Sequence, residues 1–343
     1  MKHLPVTRGR PPGALATVRE IAAEAGVSIA TVSRVLNGHP NVTAHTRKLV
    51  HNAASKLNGR PRLFRPELRT IYVRCPYILT DYFGLIVSSI AETLELHDRQ
   101  MILNAGEPSQ ASHPLTDLPN WRNIGGAILI LPPEETEEIA ALRMRYHAFV
   151  VVDPRTPLPD EIVAVSAAHF SGARQITSHL VNLGHRRIGV IAGPSEWTAT
   201  DARLAGHAAA LVDVGVLSSP SLIRYGHPTV DDGYFLARDF LDKPDRPTAI
   251  VGFNDKIAVG VLRAATERGL RVPEDLSITG FDDIELGRIT SPALTTVAQP
   301  LQEMGRMAVT LLMRLQERHR LDTLRVDLAT KLIVRGSTGP ASR

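Results

Sequence analysis

The run TVREIAAEAGVSIATVSRVLNG, residues 17–38, constrains this chain more than any other stretch. Its spacing describes two short helices joined by a tight turn. Thr17 and Glu20 form a capping box, with Thr17 accepting from first-turn N–H groups and Glu20 reaching back, so the first helix is expected to start at Val18. Its apolar face is Ile21, Ala22 and Ala25, and it stops at Gly26, the residue most able to take the left-handed backbone of a sharp turn. Ser28 is placed to cap the second helix. There Val32, Val35 and Leu36 face inward at helical spacing, which leaves Ile29, Ala30, Thr31, Ser33 and Arg34 for other surfaces. Thr43 can cap a third helix carrying Leu49, Val50, Ala53 and Leu57, closing a miniature three-helix core.

Charge sets this segment apart from the rest. The first 70 residues hold twelve Lys and Arg against three Asp and Glu, a net of +9, while the remainder carries −5, within an overall +4. That asymmetry suits a basic module for a polyanion attached to a mildly acidic body. At 343 residues the chain is long enough for two or three units, each with its own core. No apolar run approaches the roughly 20 residues that span a bilayer. The opening MKHLPVTRGRPPG has positive charge without a following apolar stretch, so no secretory signal and no membrane partner are expected, and the location expected is the cytoplasm. The one cysteine, Cys75, lies in an apolar strand pattern and reads as a small buried hydrophobe.

In its Gly-Val-Ser, Thr-Val-Ser-Arg-Val and Asn pattern the basic segment resembles the headpiece of the lactose/galactose repressor family. The resemblance implies a bacterial transcription regulator, most commonly a repressor, bound as a homodimer to a pseudo-palindromic operator in double-stranded DNA. It puts Ile29, Ala30 and Arg34 on positions that read bases in the major groove, and Thr17, Ser28, Thr31 and Ser33 on phosphate-contacting or capping positions. The chemistry agrees: an arginine fork matches a guanine edge, and small apolar side chains suit thymine methyls. The next stretch, RPRLFRPELRT, corresponds to a hinge helix whose leucine wedges into the minor groove, here Leu68. Pro66 departs from that pattern, since proline inside a helix costs about 3 kcal/mol, and leaves open an extended basic segment. Arg8-Gly9-Arg10-Pro11 resembles the core of an AT-hook, with a flexible basic tail as the plainer alternative.

From Ile71 onward, short apolar strands alternate with helical stretches: 71–73, 101–103, 127–131, 149–152, 188–191, 249–253 and 277–279. Alternation of this kind means parallel sheets with helices on both faces. The segments LVNLGHRRIGVIAGP, RLAGH, FNDKIAVGVLRAATERGLRVPEDLSITGFDD and SPALTTVAQPLQEMG carry the same family resemblance through the body. It implies two similar doubly wound parallel-sheet subdomains, like periplasmic sugar-binding proteins, crossed three times by the chain and holding a small-molecule effector between them.

The expected organisation is a tail (1–16), an all-α helix-turn-helix domain (17–60), a hinge (61–70) and an α/β core (71–338). Within the core, one subdomain takes 71–164 and 298–326, and the other 165–297 and 327–338. Ligands in such sheets sit beyond the carboxyl ends of strands, where Asp153, Asn254, Asp255 and Asp282 fall. By resemblance Asp282 and Arg203 grip effector hydroxyls, Asn254 is a further contact, and Asp255 caps the helix that begins near Lys256. Tyr82 and Phe83 match an aromatic pair lining the cleft in purine-binding relatives, and Trp197 is placed to stack on a ring. Two positions depart from the family pattern: Pro228 stands where relatives carry an aromatic platform, and Ala168-His169 where many carry Asp-Asn.

A sugar or sugar derivative is the family's commonest effector; a purine, or an effector-independent regulator with a degenerate pocket, are the alternatives. Helices 301–315 and 85–96 are candidate dimer surfaces, with core packing as the other explanation of their apolar faces. No phosphate loop, metal-spaced cluster or nucleophile elbow is present in the sequence, so neither an enzyme nor a cofactor is expected. A transport binding protein would share the body and lack the headpiece.

Overall fold

The structure is a computed structural model that describes residues 18–36, 42–57, 69–106, 114–120, 123–145, 148–317 and 324–342. The chain divides into two compact units, Met1–Arg69 and Thr70–Arg343.

In the first unit three helices enclose one small core: α1 (Val18–Ala25), α2 (Ile29–Leu36) and α3 (Ala44–Lys56). Ile21, Ala22, Val32, Val35, Val50, Ala53 and Ala54 are buried, with Ala25, Val27, Val42 and Leu57 packed at the margin. Gly26, between α1 and α2, has φ +65°, a conformation a side chain would oppose. The caps are made as the sequence predicts: the Ser28 hydroxyl accepts from the Thr31 N–H at 3.0 Å and the Thr43 hydroxyl from the Thr46 N–H at 3.2 Å. One expectation fails. Leu49 is 40% exposed, and Ala54 takes the inward position instead, because α3 turns the Val50, Ala53, Ala54 face toward its partners. Thr17, Leu68, the rest of the hinge segment up to Leu68 and the Arg8–Pro11 tail lie outside the described residues.

The second unit contains two parallel sheets. The larger has the order β11-β5-β4-β3-β1-β2, built from β1 (Thr70–Cys75), β2 (Gln100–Ala105), β3 (Ile124–Ile130), β4 (Phe149–Val152), β5 (Ala164–Ala167) and β11 (Arg325–Leu328). The smaller has the order β7-β6-β8-β9, from β6 (Ile188–Ala192), β7 (Ile223–Tyr225), β8 (Ala249–Gly252) and β9 (Ser277–Thr279). All seven strands expected from the apolar runs are present; β5, β7 and β11 are additional, β7 and β11 being half-exposed and β5 carrying Ser166. An antiparallel pair, β10 (Thr296–Ala298) with β12 (Lys331–Ile333), lies at the second and third crossings.

Alternation along β1 places each side chain on one face of the larger sheet. Ile71, Val73 and Cys75 pack with Ile86 and Ile90 of α4 (Asp81–Leu96) and with Met304 and Val309 of α12 (Leu301–Gln316). Tyr72 faces the other way, into a core completed by Leu115 of the short α5 (Pro114–Asp117) and by Ile139 and Leu142 of α6 (Thr136–Arg145). Burial pushes the Cys75 thiol up to about 12, as suits an inert core residue. Helices α4 and α12 pack on each other, and the Ser89 hydroxyl donates to the Gln302 carbonyl at 2.5 Å, so their inner apolar faces are accounted for within one chain.

Around the smaller sheet, α7 (His169–Asn182) packs on α8 (Thr198–Val212), and α9 (Val230–Leu241) on α10 (Asp255–Glu267). Gly260 and Gly233 let the last pair meet backbone to backbone: a Cβ on Gly260 would strike the Val230 carbonyl, and one on Gly233 the Ile257 carbonyl. The chain crosses between sheets after β5, after β10 and after β11. Since β5 runs to Ala167 and β11 to Leu328, both in the larger sheet, the first and third crossings fall later than positions 164 and 326, where the sequence reading put them. Parallel pairing between β5 and β11 (Ala164 with Arg325 through Ala167 with Leu328) carries both segments past those points.

Candidate nucleic-acid interface and ligand cleft

In the first unit the buried face of α2 is Val32 and Val35, and helical periodicity turns the remaining side chains outward. Ser28, Ile29, Ala30, Ser33 and Arg34 are exposed and Thr31 is half-buried. Ile29 is 49% exposed although it is a large apolar residue, so local packing does not consume it. Arg34 has no ion-pair partner among the described residues, and its guanidinium stands with an isoleucine and an alanine on one helix face. Such a face presents a fork donor and apolar contacts together, the two kinds of group that base edges in a major groove accept. The Ser28 and Thr31 hydroxyls are bonded to each other at 2.8 Å at the helix start.

In the second unit the polar residues gather where strands and crossovers end. Asp153 follows β4 with φ +52°, and Asp282 follows β9 with φ +115°. Non-glycine residues held there cost on the order of 1–3 kcal/mol, and such positions concentrate at binding sites. The buried Asp153 carboxylate accepts from the Tyr82 hydroxyl at 2.9 Å and from His169 Nε2 at 2.7 Å. His169 opens α7, just past the first crossing, and its Nδ1 stands 3.3 Å from Arg203 Nη2. Arg203, on α8, lies between the rings of Phe253 and Phe281 at 4.2 and 3.8 Å from their centres, and donates to the Phe253 carbonyl at 2.5 Å. A crevice lined in part by Thr156, Ala168, Phe170 and Thr198 opens onto Asp153 and His169.

The two carboxyl groups are tuned in opposite senses. Burial raises the Asp153 pKa, but the fields and hydrogen bonds of His169, Arg203 and Tyr82 outweigh it, and the group stays below the usual range. Burial pushes Asp282 up to about 8, with Arg203 and the 2.6 Å hydrogen bond from Gln299 only partly offsetting it. One ionised and one protonated carboxyl, with a guanidinium in their field, can accept from and donate to ligand hydroxyl groups.

Of the effector residues chosen from sequence, Tyr82, Asp153, Arg203 and Asp282 come together in one electrostatically coupled cluster. Phe83 stands one ring away, stacked on Tyr77 at 4.5 Å, and Trp197 meets the edge of Phe253 at 6.1 Å. Asn254 has a structural task. Its side chain caps α10 by accepting from the Ile257 N–H at 3.0 Å. The cap expected of Asp255 is therefore one residue earlier, and Asp255 is instead a fully buried brace that accepts from the Thr296 hydroxyl at 2.6 Å and the Ile284 N–H at 2.9 Å. Sequence reasoning missed His169, Phe281 and Gln299 as members of the cluster. The signal for the first was the departure at Ala168-His169; the other two had none at short range.

Two family models match the chain: "Bacterial regulatory proteins, lacI family" over residues 17–62 and "Periplasmic binding protein-like domain" over residues 177–338. The transcriptional repressor CytR of Escherichia coli K12 is 34% identical, over 94% of this chain and 96% of its own length. A structure of the lac repressor dimer bound to operator and the anti-inducer ONPF is 27% identical with a TM-score of 0.71, covering 95% of this chain and all of that one. The complex of the transcriptional regulator CelR with cellobiose is 28% identical with a TM-score of 0.70, over 94% and 99% of the two chains. With a helix-turn-helix unit, two doubly wound sheets and relatives of this identity along nearly its whole length, the chain belongs to the lacI family of bacterial regulatory proteins.

Proposed function

We propose that this protein is a sequence-specific transcription repressor whose hold on a pseudo-palindromic operator is set by a small molecule bound between the two sheets of its core. The observation that carries the reading is the exposed face of α2, where Arg34 stands without an ion-pair partner among the described residues beside Ile29 and Ala30. Arg34, Ile29 and Ala30 read bases; Thr17, Ser28, Thr31 and Ser33 hold phosphates or cap; Leu68 enters the minor groove. Tyr82, Asp153, Arg203 and Asp282 bind the effector, a sugar or sugar derivative, with Phe83 and Trp197 at the wall and Asn254 holding α10 in place.

The protein acts as a homodimer on two half-sites, and effector and operator are coupled through one conformational equilibrium of the core. The family relationship supports regulation and not catalysis, and no helix among the described residues is long and apolar enough to cross a membrane. The test is a mobility shift on the DNA upstream of its own gene, with and without sugars, sugar phosphates and purines. Arg34→Ala is expected to weaken specific binding by roughly ten- to a hundredfold while the fold is retained. Absence of specific binding by the unaltered protein would sink the reading.

A further inference from the structure

Arg155 lies two residues beyond Asp153, in the segment that follows β4, and its neighbours Pro154 and Thr156 both line the crevice that reaches Asp153 and His169. Its guanidinium is held between two rings, 5.1 Å from the centre of Tyr77 and 5.0 Å from the centre of Trp197. Trp197 packs against the cores of both sheets. Two hydrogen bonds pin the Arg155 backbone to the start of α8: the Thr198 N–H donates to the Arg155 carbonyl and the Thr198 hydroxyl to the Pro154 carbonyl, each at 2.7 Å. The column Phe83–Tyr77–Arg155–Trp197–Phe253 thus fixes this cation across the cleft, and Phe253 at its far end also carries Arg203.

Among the described residues, no ion pair compensates the charge on Arg155. Among the described residues, most other partly or fully buried guanidinium groups of the core have a carboxylate: Arg74 has Glu134, Arg268 has Asp242, Arg335 has Asp283, and Arg203 lies in the field of the ionised Asp153. Arg155 has no carboxylate at ion-pair distance among the described residues, and its Nε is buried without a hydrogen-bond partner. Ring faces attract a cation, but they neither neutralise it nor accept its N–H groups in the plane of the fork. A half-buried cation that is immobilised on both sides, has its Nε buried without a partner and lacks an anion among the described residues still has N–H groups to offer, and an oxyanion from solution completes it.

Resting on the reading of the cleft as an effector site, we infer that the effector carries an oxyanion, a phosphate or a carboxylate, which Arg155 binds while its hydroxyl groups lie at Asp153, Arg203 and Asp282. Arg155 is then the residue that separates an anionic sugar derivative from the neutral sugar. The ionised Asp153 is already satisfied by Tyr82 and His169, and Asp282 is held neutral, so the carboxyl groups of the cluster do not exclude such a ligand.

Calorimetric titration of the full chain with matched probes tests this: glucose against glucose 6-phosphate and glucuronate, and ribose against ribose 5-phosphate, with inorganic phosphate followed by tryptophan fluorescence at constant ionic strength. In at least one set the anionic member is expected to bind at least about tenfold tighter than the neutral one. Phosphate and glucuronate arms tell the two oxyanions apart. Arg155→Gln is expected to abolish the preference and leave the neutral member's affinity, and Arg155→Lys to restore part of it. Equal affinity within every set, or a preference that survives Arg155→Gln, overturns the inference. So does a lower melting temperature in Arg155→Gln with the preference intact, since Arg155 would then be only a strap across the cleft. Binding of neutral sugars that needs Arg203 but shows no preference defeats this inference and leaves the effector reading standing. If no probe binds and inorganic phosphate acts equally on the wild type and Arg155→Gln, both fail.

Discussion

The headpiece and the cleft reach their candidate binding surfaces by opposite routes. In the headpiece a few buried residues on three short helices hold α2 so that Ile29, Ala30 and Arg34 face outward, and every residue of that face lies within six positions of its neighbours. In the cleft, Tyr82, Asp153, His169, Arg203, Asp282 and Gln299 come from six separate places in the chain, the first four linked in one run of hydrogen bonds and the last two bonded to each other. The first is a periodicity, tolerant of small errors in packing. The second is a polar network in a dry interior, where an unmade bond is expensive.

If that contrast holds, the largest effects of single changes belong to the core. Asp255→Ala leaves the Thr296 hydroxyl and the Ile284 N–H without their acceptor, and is expected to destabilise the core by about 2–5 kcal/mol, read as a lowered melting temperature of the core. A smaller effect comes from pH. Asp282 and Asp255 are raised to about 8 and about 7 from 3.8, each first by burial, so they hold protons in the folded state that the unfolded chain has released. Their contribution to stability is full below about pH 4 and is lost as pH rises through 7 to 8. Asp282→Asn should therefore flatten the fall in melting temperature over that window, by about 1–2 kcal/mol at its upper end; an unchanged slope would mean that Asp282 is ionised throughout.

Local contributions in the headpiece are smaller. Ser28→Ala removes one N-cap acceptor and is expected to cost about 1 kcal/mol in the headpiece transition, measurable by circular dichroism, with the core untouched. Leu49→Ser, at an exposed position, should change stability by no more than about 0.5 kcal/mol. A loss as large as that of a buried leucine would restore Leu49 to the core and overturn the face assigned to α3.

Legibility followed the same division. The headpiece caps, its turn and most of its core could be read directly, because a capping residue and its N–H lie three positions apart and an apolar stripe repeats every turn. Leu49 was misplaced because Leu49 and Val50 are adjacent, and only the direction from which α1 and α2 approach decides between them. In the core the apolar strands were legible, whereas β7 and β11 are half-exposed and β5 carries Ser166, so pairing with a neighbour is what defines them. Asp153, Arg203 and Asp282 were found because they follow strands or match the family's segments. Gln299 and Phe281 were not, because nothing local marks a residue that acts on a group elsewhere in the chain.

By itself the sequence determined a basic helix-turn-helix with the exposed face of α2, an α/β body of alternating strands and helices, and the carboxylates at strand ends. These follow from charge, capping chemistry and periodicities of 3.6 and 2, all properties of neighbouring residues. Only the tertiary structure decided that Asn254 caps while Asp255 braces, that His169 joins Asp153 to Arg203, and that Arg155 is held between Tyr77 and Trp197 with no carboxylate at ion-pair distance among the described residues. Burial and partnership set those roles, and both depend on segments that meet only when the two sheets close on each other.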